Sequence, residues 1–124
     1  DWSALVPVVE VTYQVDFEAA HWLPEVPDGH KCKRMHGHSY RVEITVKGPV
    51  NAVGMVLDYA DIKAAADPFV NLLDHHIVND HVPNSTSENL AVWFWENLID
   101  ALPQLHHVRV YETPRAYSTY SGEG

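Results

Sequence analysis

The chain alternates apolar and polar residues along two long stretches. In the first, every second position from Val9 to Phe17 is apolar, and the positions between them are polar or charged. In the second, the alternation begins at His36 and runs through Tyr40 and Val42 to Val46. A period of two is typical of a strand with one face in the core and one face in water. Both stretches are therefore predicted to be strands.

Two helices are predicted after these strands. Asp58 can cap a helix from Tyr59 to about Leu73, which Pro68 is expected to kink. The predicted apolar stripe of this helix is Ile62, Ala65, Ala66, Phe69, Leu72 and Leu73. Ser85 and Glu88 have the spacing of a capping box and predict a second helix to about Leu102. Before the first helix, residues 55–57 are predicted to form a short extended run.

The end of the chain predicts two further strands. Val108, Val110 and Glu112 share one parity, and residues 116–120 form a last extended segment. The order strand, strand, helix, helix, strand, strand is typical of an α+β fold, with an antiparallel four-stranded sheet covered on one face by two helices. With 124 residues, the chain is expected to be a single domain over residues 1–124.

Composition and charge restrict the class of partner. A net charge of −9 argues against nucleic acid or an anionic membrane surface, and no apolar run is long enough to cross a bilayer. The single cysteine permits no internal disulfide, and the first ten residues lack the pattern of a signal peptide. A location in the reducing cytoplasm is therefore expected.

Strand parity brings three histidines together. His21 continues the apolar row of the first strand, and His36 and His38 begin the apolar row of the second. If the two strands are antiparallel neighbours, the end of the first lies beside the start of the second. Three histidines without a fourth protein ligand suit zinc with an open coordination position. The alternative is that His36-Gly37-His38 is a chance pattern.

The only cysteine lies in the irregular loop predicted between the two strands. Cys32 is surrounded by Lys31, Lys33 and Arg34, which are expected to lower the pKa of the thiol and make it reactive. The same positive charge suits an anionic small molecule, although a solvated basic turn explains it equally well. Cys32 could instead be a fourth metal ligand or a residue of the core.

Three further residues suggest chemistry. Asp74 followed by His75 at a helix end resembles a carboxylate that orients an imidazole for proton transfer, or else a solvated helix terminus. Glu112 ends an apolar row, and a buried carboxylate requires a partner. A flat ligand with two N–H donors would provide one, as would an arginine.

The ordered set of motifs resembles the 6-pyruvoyltetrahydropterin synthase and 6-carboxytetrahydropterin synthase family over residues 9–123. The motifs are Phe17-Glu18-Ala19-Ala20-His21, Gly29-His30-Lys31-Cys32, His36-Gly37-His38, Leu73-Asp74-His75-His76, Thr86-Ser87-Glu88 and Glu112-Thr113. The three residues between Cys32 and His36 resemble the spacing in bacterial 6-carboxytetrahydropterin synthases of queuosine (7-deazaguanine) biosynthesis.

The resemblance implies a T-fold subunit that joins others into a barrel, commonly a homohexamer with active sites between subunits. It implies Zn²⁺ on His21, His36 and His38, with proton transfer by Cys32, Asp74 and His75, and it leaves open whether the last two come from the same or a neighbouring subunit. Substrate contacts would come from Glu112, Thr86, Ser87, Glu88, Lys31 and Arg115. The expected reaction converts 7,8-dihydroneopterin triphosphate to 6-carboxy-5,6,7,8-tetrahydropterin, acetaldehyde and triphosphate.

Some residues depart from the family pattern, and other activities stay open. Trp22 follows the first zinc histidine where many relatives have a basic residue, and residues 114–117 and Ser121 also differ. These departures affect the expected triphosphate contacts most. The alternatives are a 6-pyruvoyltetrahydropterin synthase, a zinc hydrolase that uses metal-bound hydroxide, and a non-catalytic oligomer that binds zinc or pterin.

Overall fold

The fold is seen in a computed structural model that describes residues 6–124, so the first five residues of the predicted domain lie outside the described residues. Its main elements are β1 (Val8–His21), β2 (His36–Pro49), α1 (Tyr59–Leu73), α2 (Ser87–Leu98), β3 (Leu105–Thr113) and β4 (Ala116–Tyr120). Two single turns of 3₁₀ helix, Lys31–Lys33 and Val78–Asp80, lie in the connections. The predicted order of strands and helices is confirmed.

The four strands form one antiparallel sheet in chain order, β1-β2-β3-β4. Its longest pairing is that of the edge strand β1 with β2, which face each other from Val8 opposite Pro49 to His21 opposite His36. Because facing residues of an antiparallel pair point to the same side, the alternation of each strand gives one apolar and one polar face. On the polar face, Arg41 pairs with Asp16 at 3.2 Å, and Thr12 and Thr45 share a hydroxyl hydrogen bond of 2.6 Å.

Both helices cover the apolar face. Ile62 and Leu73 of α1 and Leu90 and Phe94 of α2 join the buried strand residues, among them Val42, in one core. Burial of each such side chain contributes roughly 1.5–3 kcal/mol, which makes this layer the main source of stability. The N-cap of α1 is Asp58, whose side chain accepts a hydrogen bond from the backbone N–H of Ala60 at 2.9 Å, as predicted.

The structure corrects the predicted start of α2. Thr86, rather than Ser85, is the N-cap, because its hydroxyl accepts from the backbone N–H of Asn89 at 3.1 Å. Ser85 is fully buried, and its hydroxyl donates instead to the carbonyl of Trp22 at 3.0 Å. The capping-box interpretation was therefore wrong, because the Ser85 hydroxyl makes a hydrogen bond to Trp22 instead of capping the helix. The helix also ends at Leu98 rather than Leu102.

Three smaller predictions also differ from the structure. Residues 55–57 do not form an extended run, because the Asn51 side chain and backbone bind the backbone of Met55 and close a turn, and residues 56–57 form a bend. In α1, Leu72 was predicted to face the core but is 42% exposed, and Val70 is buried there instead. Pro68 lies inside the helix, and the expected kink there stays a prediction. The third strand begins three residues earlier than predicted, at Leu105.

The chain after α1 lies along the outer edge of β1. The backbone N–H of His75 donates to the carbonyl of Glu18 at 2.6 Å, and that of Ala20 donates to the carbonyl of His76 at 3.1 Å. These bonds place the end of α1 beside the end of β1. Among residues 6–124, no helix is long and apolar enough to cross a membrane.

Candidate metal centre at the end of the sheet

Three histidines meet where β1 ends and β2 begins. The strand register places His21 opposite His36 and Ala19 opposite His38, so that all three imidazoles extend from the apolar face. Their ring centroids lie 4.6 to 5.0 Å apart, and one ligand nitrogen from each ring lies within 4.8 Å of the others. The meeting predicted from strand parity is therefore present in the structure.

Backbone carbonyls orient two of these rings. The Nδ1 atom of His21 lies 2.9 Å from the carbonyl oxygen of Ser85, and that of His36 lies 2.7 Å from the carbonyl oxygen of Arg34. A carbonyl only accepts, so each Nδ1 carries the proton, and in the neutral ring each Nε2 keeps a lone pair. The two Nε2 atoms nevertheless face each other at 3.0 Å. Two facing lone pairs repel unless a cation lies between them, and this donor set fits zinc.

Burial favours the neutral form of two of the three histidines, His21 and His38, because it lowers the pKa of each. Burial lowers the pKa of His21 from 6.5 to about 4, with smaller contributions from His36 and His38, although the hydrogen bond to Ser85 opposes the shift. Burial, and then His36, also lower the pKa of His38. The neutral imidazole is the form that binds a metal ion. At neutral pH these two rings therefore offer lone pairs rather than positive charge.

Cys32 lies in the single 3₁₀ turn that precedes β2 and is partly buried. Its sulfur does not belong to the three-histidine group of mutually close ligand atoms found among residues 6–124. The backbone fixes the turn, since the carbonyl of Cys32 accepts from the N–H of Leu23 at 2.8 Å. Lys33 points to Asp28 at 2.6 Å, so part of the expected positive charge is already paired. The arrangement supports an open metal position rather than a fourth thiolate ligand.

Glu112 lies near His36 and the start of α2, where the backbone N–H of Ser87 donates a hydrogen bond to its carboxylate. It is half-buried, and burial followed by the charge of Glu88 raises the pKa of its carboxyl, while His36 lowers it. The hydroxyl of Ser87 donates to Glu88 at 3.1 Å and shares a hydrogen bond of 2.7 Å with Ser118. Two carboxylates near each other in a partly dry site favour a ligand that brings N–H donors.

The Tyr40 hydroxyl is a buried polar group near the three histidines. Tyr40 follows His38 on the same face of β2, and its ring centroid lies 5.5 Å from that of His38. It is 1% exposed, and among the described residues its hydroxyl has no hydrogen-bond partner. Burial, followed by the charge of Glu112, raises the pKa of Tyr40, so the group remains a neutral donor. Sequence reasoning placed Tyr40 only in the apolar row.

Asp74 and His75 lie at the outer edge of β1. Asp74 Oδ1 is 3.0 Å from His75 Nδ1 and also accepts from the backbone N–H of Glu18 at 3.0 Å. This backbone bond, and then the contact with His75, lower the pKa of Asp74. His75 has a φ of 61°, which is uncommon for a residue with a side chain, and its ring is exposed. His75 and His38 both line an open cleft of about 560 Å³.

Two other predicted site residues are exposed, and a third caps a helix. Lys31 is exposed beside Cys32, and Arg115 is exposed in the turn between β3 and β4. The Thr86 hydroxyl is occupied as the cap of α2.

Two supporting residues were not identified from the sequence. Ser85 orients His21, and Asn79 binds both backbone polar groups of Trp22. Both are small polar residues far from the histidines in the sequence, and both are buried only in the folded chain. No local pattern in the sequence therefore indicated their role.

Comparisons with known proteins identify the family of the chain. Residues 10–123 match the family described as 6-pyruvoyl tetrahydropterin synthase. A 6-carboxy-5,6,7,8-tetrahydropterin synthase of Synechocystis sp. is 41% identical over 116 residues, covering 86% of this chain and 88% of the relative. A 6-pyruvoyl tetrahydrobiopterin synthase of Homo sapiens is 41% identical over 133 residues, covering 92% of each. The structure of the Caenorhabditis elegans 6-pyruvoyl tetrahydropterin synthase has a TM-score of 0.86 at 30% identity, covering 95% of this chain and 98% of that one. The chain therefore belongs to the 6-pyruvoyl tetrahydropterin synthase family.

Proposed function

We propose that the protein is a zinc-dependent 6-carboxy-5,6,7,8-tetrahydropterin synthase that acts in the cytoplasm, in queuosine biosynthesis. Its substrate is 7,8-dihydroneopterin triphosphate, and its products are 6-carboxytetrahydropterin, acetaldehyde and triphosphate. The observation that carries the proposal is the pair of Nε2 lone pairs of His21 and His36, 3.0 Å apart beside His38. This arrangement fits a metal ion that keeps a position open for substrate.

The three histidines hold the metal, and Ser85 and Arg34 hold two of the rings in the required tautomer. Zinc, when bound, supplies a Lewis acid that lowers the pKa of the substrate's side-chain hydroxyls. The core side of the three-histidine cluster is closed to water, since His21 is 1% exposed. The side formed by His36 and His38 is partly exposed and accessible to substrate. The substrate therefore has one direction of approach.

Cys32 is the base that removes a proton from the substrate carbon next to an acidified hydroxyl. Its turn, Lys31–Lys33, ends two residues before β2 begins at His36, and the Cys32 side chain is only partly buried. Asp74 and His75 pass protons, because Asp74 holds Nδ1 of His75 and leaves the other ring nitrogen free for exchange. The spacer of three residues between Cys32 and His36 supports the 6-carboxy product.

Glu112 anchors the pterin ring. Its carboxylate accepts two N–H bonds from a flat heterocycle, which offset the cost of burying its charge. Ser87, Glu88 and the capped start of α2 complete this end of the site, and the Tyr40 hydroxyl lies close by. Lys31 and Arg115 are exposed cations suited to the triphosphate.

A homohexamer with active sites between subunits accounts for the exposed edge of β1. Up to Phe17, the outer edge of β1 has no partner strand within residues 6–124, and unpaired edges favour association. His75 is 78% exposed at the same edge. A neighbouring subunit at this edge would bring its own residues to the cleft that His75 and His38 line.

The second candidate product is 6-pyruvoyltetrahydropterin. The human 6-pyruvoyl tetrahydrobiopterin synthase is as similar to this chain, at 41% identity, as the cyanobacterial 6-carboxy enzyme. Overall identity therefore does not distinguish the two products.

The test is to incubate the zinc-loaded protein with 7,8-dihydroneopterin triphosphate and identify the products by mass spectrometry. We expect 6-carboxytetrahydropterin together with acetaldehyde, and neither from a Cys32→Ser variant that retains zinc. Release of triphosphate with a 6-pyruvoyl product would establish the second candidate. Unchanged substrate with bound zinc would mean that the protein binds pterin without turnover.

A further inference from the structure

A second group of metal-ligand atoms lies far from the three-histidine cluster. Within residues 6–124, Glu10, His106 and His107 each offer a ligand atom within 4.8 Å of the others. Glu10 lies eleven residues before His21 on β1, which corresponds to about 36 Å along a strand. The two residues also have opposite parity, so this second group lies on the polar face and the first group on the apolar face.

A β-bulge brings the two histidines of this group together. In the register of β2 and β3, Thr45 faces His107 and the next residue, Val46, faces Leu105. His106 is therefore the extra residue of the bulge. Leu105 and Val108 are both buried, while the two histidines between them are only partly buried. Both imidazoles consequently turn toward the polar face, which strict alternation would have prevented.

The ligand atoms converge closely. The Nδ1 atoms of His106 and His107 lie 2.8 Å apart, and Nδ1 of His106 lies 3.8 Å from Oε1 of Glu10. A zinc ion with bonds of about 2.0–2.1 Å in tetrahedral geometry separates two nitrogens by about 3.3 Å. The two rings need to move apart by about half an ångström, a change within the range of side-chain rotation. The Nε2 atoms of His21 and His36 lie at a comparable 3.0 Å.

We propose that Glu10, His106 and His107 form a second binding site for a divalent ion of the zinc class. Two imidazoles and one carboxylate are donors that Zn²⁺, Co²⁺ and Ni²⁺ accept, and the fourth position is left for water. When the ion binds, the proton shared between the two Nδ1 atoms moves to an Nε2 atom. Each ring then keeps one N–H, and no proton is lost.

The surrounding charges are mixed. Lys47 faces Glu10 in the register of β1 and β2, and Arg109 lies 3.8 Å from Glu43 on the same face. Burial, and then His106 and Arg109, lower the pKa of His107 against the opposing effect of Glu10 and Glu43. The ring is thus available in its neutral form. With Glu10 on β1 and the histidines on β3, a bound ion ties the two strands together across β2.

The test is zinc stoichiometry in the intact protein, by equilibrium dialysis at micromolar free zinc followed by elemental analysis. We expect two zinc ions per chain in the unmodified protein and one in His107→Gln. We also expect one in a His36→Ala/His38→Ala variant and none in the three changes combined. His81→Gln, at an exposed histidine outside both groups, is the matched control and is expected to retain two.

Each stoichiometry decides between the two sites. One ion per chain that the His36/His38 change removes and His107→Gln leaves in place overturns the second site and keeps the first. One ion per chain that His107→Gln removes and the His36/His38 change leaves in place overturns the first site only. Glu10→Gln, which keeps the shape of the side chain, is expected to weaken the second site at least tenfold. An unchanged affinity in Glu10→Gln would remove the carboxylate from the site.

Thermal unfolding in the His36→Ala/His38→Ala background provides a readout that does not depend on activity. Zinc is expected to raise the Tm of this variant, since an ion that binds only the folded state stabilises it. Adding His106→Asn is expected to abolish the rise while leaving the Tm without zinc close to its earlier value. A rise in Tm of equal size in both variants would contradict the second site formed by Glu10, His106 and His107.

Discussion

The side chain of Asn79 satisfies both backbone polar groups of Trp22. Asn79 Oδ1 accepts from the Trp22 N–H at 3.0 Å, and Asn79 Nδ2 donates to the Trp22 carbonyl at 2.8 Å and to the Pro83 carbonyl at 3.1 Å. This pairing holds the chain immediately after His21. It therefore connects the loop before α2 to the candidate metal centre.

Asn79→Ala is expected to lower the free energy of unfolding by about 1–3 kcal/mol, because it leaves the partly buried N–H of Trp22 without its partner and removes one of the two donors to the Trp22 carbonyl. Chemical denaturation measures the effect. Asn71→Ala, at an exposed position of α1, is the control, and its change should stay within about 0.5 kcal/mol. Equal stabilities of the two variants would show that Asn79 does not hold the segment.

Ser85→Ala is expected to weaken zinc binding about tenfold, at the lower end of effects for groups that orient metal ligands. The change removes the hydroxyl 3.2 Å from His21 Nδ1 but keeps the carbonyl that orients the same atom. Competition with a chromophoric chelator measures the affinity, with exposed Ser121→Ala as the control. An affinity equal to that of the control would limit the role of Ser85 to its backbone.

Glu112→Gln is expected to raise stability while it weakens substrate binding. The pKa of Glu112 is raised above its ordinary 4.5, so its contribution to stability is complete below pH 4.5 and is lost as pH rises through the folded-state pKa. The Tm of the glutamine variant should therefore exceed that of the unmodified protein at pH 7–8 and converge with it toward pH 4.5. KM for the pterin should rise at least about tenfold, since a charge-assisted hydrogen bond is lost.

The control for this change is Glu96→Gln, at an exposed position on α2, which should alter neither Tm nor KM. A lower Tm for Glu112→Gln at pH 7–8 would mean that the carboxylate is stabilised by contacts in the unliganded fold. An unchanged KM would remove its role as the ring anchor.

Cys32→Ala is expected to leave zinc bound and to lower kcat by about 10²–10⁴-fold, the usual contribution of a positioned acid or base. The reason is that the sulfur lies outside the group of metal-ligand atoms. Zinc content and steady-state rates are measured on the same preparation. Loss of zinc in this variant would make the thiol a ligand, and unchanged turnover would favour hydrolysis by a metal-bound hydroxide.

Much of the fold and the core of the site could be predicted from local patterns. Strand parity was sufficient to bring His21, His36 and His38 to one face, because β1 and β2 pair without a bulge along their whole length. The cap of α1 at Asp58 was also a local signal. Such predictions succeed where neighbouring residues determine the geometry.

The predictions that failed depend on contacts between residues far apart in the chain. Ser85 has the sequence of a cap, yet it is buried against Trp22 and His21, and the cap moves to Thr86. The bulge at His106 is a property of how β3 pairs with β2, so alternation along β3 could not reveal it. The free hydroxyl of Tyr40 likewise becomes visible only when its surroundings are known.

The most direct test of the metal centre is X-ray absorption spectroscopy at the zinc edge, on a His106→Gln/His107→Gln variant loaded with one equivalent of zinc. The account predicts three imidazole nitrogens and one oxygen at about 2.0–2.1 Å, with no sulfur in the first coordination shell. A scatterer at about 2.3 Å would identify Cys32 as a ligand and the site as closed, which would contradict an open catalytic zinc on His21, His36 and His38.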